Sequence, residues 1–137
     1  MASRSSRVQE VVVPILREAF PDVEVTTWVP SLTYRKYPII NVRRLGGNRN
    51  RSFPERLDNA TVEITVHHAE GLPEAEILYT EVVDALFKAW RTQKVTEAGH
   101  IAFVREIMGL TSFDSQFQDN YRVQGLIQLG IRPPRKG

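Results

Sequence analysis

The chain contains no cysteine. That absence removes disulfide frameworks, thiolate metal centres and thiol nucleophiles together. No apolar run approaches the ~20 residues a helix needs to cross a bilayer. The first residues, Met1-Ala2-Ser3-Arg4-Ser5-Ser6-Arg7, lack the apolar core of a secretory signal. The expectation is a protein made and kept in a cytoplasm, or assembled there. Histidine is scarce as well: His67, His68 and His100 are the whole supply. Adjacent residues on a strand point to opposite faces, so His67 and His68 do not share an ion readily. The bland reading is a solvated His67 at a strand end and a half-buried His68, with no metal and no cofactor.

What is present describes an ordinary globular domain. At 137 residues the chain is one domain, 1–137, large enough to bury a real core. The ends, 1–6 and 133–137, read as flexible tails. From Val8 the apolar residues Val8, Val11, Val12, Ile15, Leu16 and Ala19 follow an i, i+3, i+4 stripe that specifies a helix. Pro14 interrupts that stripe and predicts a kink or a restart. Val23, Val25 and Thr27 alternate as a first strand. Pro38–Arg43 and Ala60–His67 follow as a second and third, the third with Ala60, Val62, Ile64 and Val66 on one face. Gly71-Leu72-Pro73 opens a second helix with proline at its first position. Its buried stripe is Ala75, Leu78, Val82, Ala85, Leu86 and Ala89. Ile101–Met108 and Tyr121–Ile131 close the chain as two strands. The fold class is therefore α+β: a small antiparallel sheet with two helices packed on one face, in the order α-β-β-β-α-β-β.

The charges are unevenly placed. Between Arg35 and Arg56 lie seven basic residues and one acid, a local +6, so the remainder carries −4. The long basic loop 44–59 holds Gly46 and Gly47 and, with Arg43 at its entry, the arginines Arg44, Arg49, Arg51 and Arg56. Loops beyond about 12–15 residues in compact domains are usually functional or disordered. Gly46-Gly47 has no following lysine and Ser/Thr, so a phosphate cradle is disfavoured, and the pair reads as a turn using positive φ. Only Phe53 offers a stacking group beside the arginines, which argues against a nucleic-acid groove. An arginine cluster is often just a solvated face, but arginine is also enriched at protein interfaces. The complementary candidate is the acidic face of the second helix, Glu74, Glu76, Glu81 and Asp84. Phe113 and Phe117, apolar rings in the polar link 109–120, are a candidate partner-contact loop. Asp114, Ser115 and Asp119 have no third member that would complete a triad. The residues supply no catalytic set.

Taken together, Pro38-Ile39-Ile40-Asn41-Val42-Arg43, the Gly46-Gly47 pair, Leu57 to Val66, and the helix with Ala75, Ile77, Leu78, Val82, Ala85 and Leu86 form a pattern. In that pattern the chain resembles the tail terminator proteins of long-tailed bacteriophages of the siphovirus type, especially those infecting actinobacteria. The resemblance spans nearly the whole chain, and it rests on element order and glycines. It implies a non-enzymatic virion protein of the tail and neck, assembled in the host cytoplasm and working without a cofactor or a membrane. It implies a homohexameric ring that caps the tail tube, stops its polymerisation and offers a surface to head-tail connector proteins, with DNA passing through the lumen. Other connector or minor tail proteins share this layout. A small nucleic-acid-binding module using the basic loop is the alternative from another class.

Overall fold

The computed structural model describes residues 7–27, 38–49, 57–113 and 121–133, with backbone alone at 7, 47–49, 112 and 113. The elements are α1 (Arg7–Ala19), β1 (Glu24–Thr26), β2 (Ile39–Arg49), β3 (Asp58–His68), α2 (Leu72–Arg91), β4 (Val95–Thr96), β5 (Gly99–Phe113) and β6 (Tyr121–Arg132). They build one six-stranded sheet in the order β1-β2-β3-β6-β5-β4. Every neighbouring pair is antiparallel except β1 and β2, which run parallel. The α+β class and its two helices stand, and β4 adds a short eighth element.

The two periodicities in the sequence meet in one core. Val8, Val11, Val12, Ile15 and Leu16 of α1 pack with Val82 and Leu86 of α2 over Val62, Ile64 and Val66 of β3 and Ile127, Leu129 and Ile131 of β6. Each of these residues is almost completely buried. Burying one such side chain contributes roughly 1.5–3 kcal/mol. Pro14 does not break α1, which runs as a single helix. Both Pro14 and Glu10, whose carbonyl loses its donor, are exposed, so water can satisfy that carbonyl. Ala19 is exposed and leaves the predicted stripe, while Val13 joins the core.

Three expectations about strand ends are corrected. β2 does not stop at Arg43 but continues to Arg49, pairing Gly46 with Thr61, Gly47 with Ala60 and Arg49 with Asp58. Gly46 and Gly47 therefore lie in a strand and form no turn, and a Cβ on Gly46 would meet open space. One residue, Leu45, is left over between Arg44 and Gly46 as a bulge. β5 likewise runs on to Phe113, so Phe113 pairs with Arg122 in the sheet rather than standing in a loop. His67 is the third correction: it is 4% exposed, not solvated. It lies on the sheet face turned away from the helices, in the row of Ile39 and Arg122.

A single close approach locks α2 to the sheet. Tyr79 of α2 points its hydroxyl at Gly125 of β6, where a Cβ would lie 1.7 Å from that oxygen. Gly125 is thus required by space. The Tyr79 hydroxyl is buried and has no hydrogen-bond partner among the described residues. Burial, with the nearby Glu106 carboxylate adding to it, pushes its pKa up to about 12 from the usual 10.0.

Two outcomes follow for this contact. Gly125→Ala should destabilise by about 1–3 kcal/mol through overpacking, read from urea unfolding midpoints. Because the folded-state pKa of Tyr79 is raised, its stabilisation is complete below about pH 10 and is lost as the pH climbs towards about 12. The loss is on the order of 2–3 kcal/mol. Tyr79→Phe should flatten this alkaline limb while leaving stability near pH 7 unchanged or slightly higher, since it deletes an unsatisfied hydroxyl. Equal alkaline slopes for the two proteins would contradict the assignment.

Candidate assembly interface

The Arg49–Asp58 end of the β2–β3 pair and the start of α2 lie towards opposite ends of the sheet. α2 begins four residues after His68 and feeds β4 and β5 at its other end. There Ile101 pairs with Ile131, which pairs with Asp58, which pairs with Arg49. Twenty helical residues rise about 30 Å, close to the span of an eleven-residue strand, so α2 runs the length of the sheet. Its acids are spread along it: Glu74 and Glu76 lie near its start, Glu81 at its middle and Asp84 beyond the middle. Lys88 and Arg91 sit at its end, towards the row of Arg49 and Asp58.

The sequence candidates separate into those held internally and those left outward. Arg43 and Arg44 are adjacent on β2 and point to opposite faces. Arg44 is committed inside the hairpin: its Nη1 and Nη2 donate to Asp58 Oδ2 and Oδ1 at 2.5 and 2.9 Å, and its Nε donates to the Gly46 carbonyl at 3.0 Å. The two-pronged pair closes over the Leu45 bulge and holds its register. Arg43 lies 3.6 Å from Glu63 on the other face, with its side chain 58% exposed. Arg49 is placed by backbone alone at the end of β2. Arg51 and Arg56 fall outside the described residues, as does Phe117.

Among the acids, Glu81 and Asp84 are exposed on α2 around Ile77, which is itself 59% exposed, and Glu76 is half-buried on the flank. Glu74 departs from the predicted exposed set: it is half-buried and folds back against Gly71 at the helix start. There its negative charge complements the helix dipole. The outward acidic face is therefore Glu76, Glu81 and Asp84 with an apolar centre.

Two features were not anticipated. The sheet face away from the helices carries a hydrogen-bonded polar ladder rather than free solvated groups. Gln124 Nε2 donates to Glu63 Oε2 at 2.7 Å, Thr65 Oγ1 donates to Glu63 Oε1 at 3.5 Å, and Arg105 Nη2 donates to Gln128 Oε1 at 2.6 Å. Asn41, Thr65 and His67 on this face are buried. The alternation of polar residues on β3 signalled the face, but not its burial. Leu45 and Ile107 are large, apolar and about half exposed. A lone leucine between Arg44 and Gly46 was the available sequence signal.

Comparison with known proteins decides the family. A model of the phage tail termination protein family matches residues 4–137. The chain belongs to that family. The gene 22 protein of Mycobacterium phage D29 is 44% identical over 131 residues, covering 94% of each chain. The gene 22 protein of Mycobacterium phage L5 is 44% identical over 135 residues, covering 97% of each. A chain in the virion of a native gene transfer agent particle shares the fold, with a TM-score of 0.60 at 17% identity over 91% of this chain and 94% of that one. As a tail termination protein the chain is a structural component of the virion tail and not an enzyme.

The Arg44–Asp58 pair is the part of this region that a solution measurement reaches directly. Its side chains are only 25% and 18% exposed. A double-mutant cycle with Arg44→Ala and Asp58→Ala should give a coupling of about 1 kcal/mol, at the upper end of the usual range for surface pairs and weakened by salt. A coupling near zero would release Arg44 from the hairpin.

Proposed function

We propose that this tail termination protein works as a closed ring of identical subunits on the end of the tail tube. The ring stops tube polymerisation and presents its free side to the head-tail connector proteins. It assembles in the host cytoplasm, and DNA passes through its lumen. The carrying observation is that the subunit keeps opposite charges on separate surfaces: Arg43 and Arg49 on β2 towards one margin of the sheet, and Glu76, Glu81 and Asp84 on the outward side of α2, which lies over β3, β6 and β5. Complementary surfaces on separate parts of one molecule do not satisfy each other within that molecule. They favour a head-to-tail interface, which closes into a ring when the rotation per subunit divides a full turn. Six subunits is the count that the family resemblance implies.

The alternative of a free nucleic-acid-binding module loses support from the same geometry. Arg44 is spent on Asp58 and Arg43 lies beside Glu63, so fewer cations remain to replace counterions on phosphates.

Reversing Glu81 and Asp84 to lysine should lower the mass of the assembly to that of smaller species and leave infected cells with overlong tails. Adding Arg49→Glu and Arg51→Glu to that variant should restore part of both properties, because the charges are exchanged rather than removed. Mass in solution and tail lengths by electron microscopy read the two outcomes. An unchanged ring mass and normal tails in the first variant would remove the acidic face from the interface.

A further inference from the structure

We propose that neighbouring subunits join by pairing the edge of β2 in one copy with the edge of β5 in the next, so that the sheet continues from subunit to subunit. This rests on the ring reading above and names the surface that closes it.

The sheet ends in two long strands that its short outer strands barely cover. β1 pairs only with Ile39–Asn41 of β2. Just beyond, Gln9 Nε2 donates to the Val42 carbonyl at 3.0 Å. From Arg43 to Arg49, β2 has no further strand partner on that side among the described residues. On the opposite side of the sheet, β4 pairs only with Gly99 and His100, and among the described residues β5 from Ile101 to Phe113 has no strand partner beyond β6. A run of unpaired backbone donors and acceptors is a template for another strand.

The two edges match in direction and row. Three successive antiparallel pairings, β2–β3, β3–β6 and β6–β5, leave β5 antiparallel to β2. A second copy set alongside in the same orientation therefore meets the first in an antiparallel ladder. The contact is between different surfaces of the two copies, as a ring requires. The covered corners are diagonal: β1 blocks the Ile39 end of β2, and β4 blocks the Gly99 end of β5. Both open stretches thus cross the same rows, which run from Arg49–Asp58–Ile131–Ile101 to beyond Arg44–Val62–Ile127–Glu106. The second of these rows brings Arg44, itself paired with Asp58, opposite Glu106 of the neighbouring copy, and the next row brings Arg43 opposite Met108.

Bulges ordinarily blunt an edge by twisting it away. Here each edge carries a bulge beside that shared row: Leu45 follows Arg44, and Ile107 follows Glu106, both without a partner in the register. These two bulged residues are 45% and 50% exposed. Edges that bulge in the same row bend together, and their displaced apolar side chains come within about a residue of one another across the joint. Leu45 of one copy then covers Ile107 of the next.

Cysteine pairing tests this cleanly, because the native chain has none. Opposed residues in an antiparallel ladder sit about 4.5–5.5 Å apart between Cα atoms, within the reach of a disulfide. Leu45→Cys would be combined in turn with Arg105→Cys, Ile107→Cys and Gly109→Cys, with each single variant as control. The full-length protein would be oxidised, separated under denaturing conditions, and weighed in its native state before oxidation. The expected result is a ladder of covalent multimers ending at the native ring mass, strongest with Ile107→Cys and absent from the single variants. A ring of normal mass with no multimers from any combination overturns the edge pairing and leaves the ring reading standing. A covalent dimer from Leu45→Cys alone shows two β2 edges meeting and overturns it as well. A protein that stays monomeric alone and with tube protein removes both readings together.

Discussion

The constraint on which this structure depends is the unbroken register between β3 and β6. Eleven consecutive rows, from Asp58 opposite Ile131 to His68 opposite Tyr121, pair without a shift. Side chains alternate on a strand, so a one-residue slip here would turn the apolar groups of one of the two strands away from the helices. Ala60, Val62, Ile64 and Val66 on one strand and Val123, Ile127, Leu129 and Ile131 on the other hold that register by burial under α1 and α2. The space at Gly125 that admits Tyr79 is part of the same match.

With the centre held straight, irregularity is displaced outwards. β2 shifts once, at Leu45, and β5 shifts three times along its length. Within one chain the β2 shift is held by the bidentate Arg44–Asp58 pair, a short-range use of charge that draws a cation out of the basic segment. The strong alternation in the core and the bulged, partly apolar margins are thus two sides of one arrangement. A rigid centre sets the rows, and the flanks are free to be shaped for contact.

Much of this architecture was legible in the residues. The helix at Val8–Leu16, the strand at Ala60–His67 and the helix opened by Pro73 follow from periods of 3.6 and 2.0 and from capping chemistry, all local properties. The strand ends were not. Nothing local distinguishes Leu45-Gly46-Gly47-Asn48-Arg49 from a loop, because glycine, asparagine and arginine have little preference for a strand and become one only when β3 offers its backbone. Phe113 is the same case at the end of β5. Glu74 shows a further limit: its spacing places it beside Glu81 and Asp84, yet its carboxylate turns back to the helix start.

By itself, then, the sequence determined the class of fold, the two helix faces, the lack of thiol chemistry and the concentration of positive charge between Arg35 and Arg56. Each is a matter of composition or of neighbours a few residues apart. Only the tertiary structure decided that Arg44 is spent on Asp58, that His67 is buried, and that the Arg49–Asp58 end of the β2–β3 pair and the start of α2 lie towards opposite ends of the sheet. It alone set Leu45 and Ile107 beside a common row on opposite margins. Those relations join residues tens of positions apart, and they exist only once backbone pairing has fixed which residue stands opposite which.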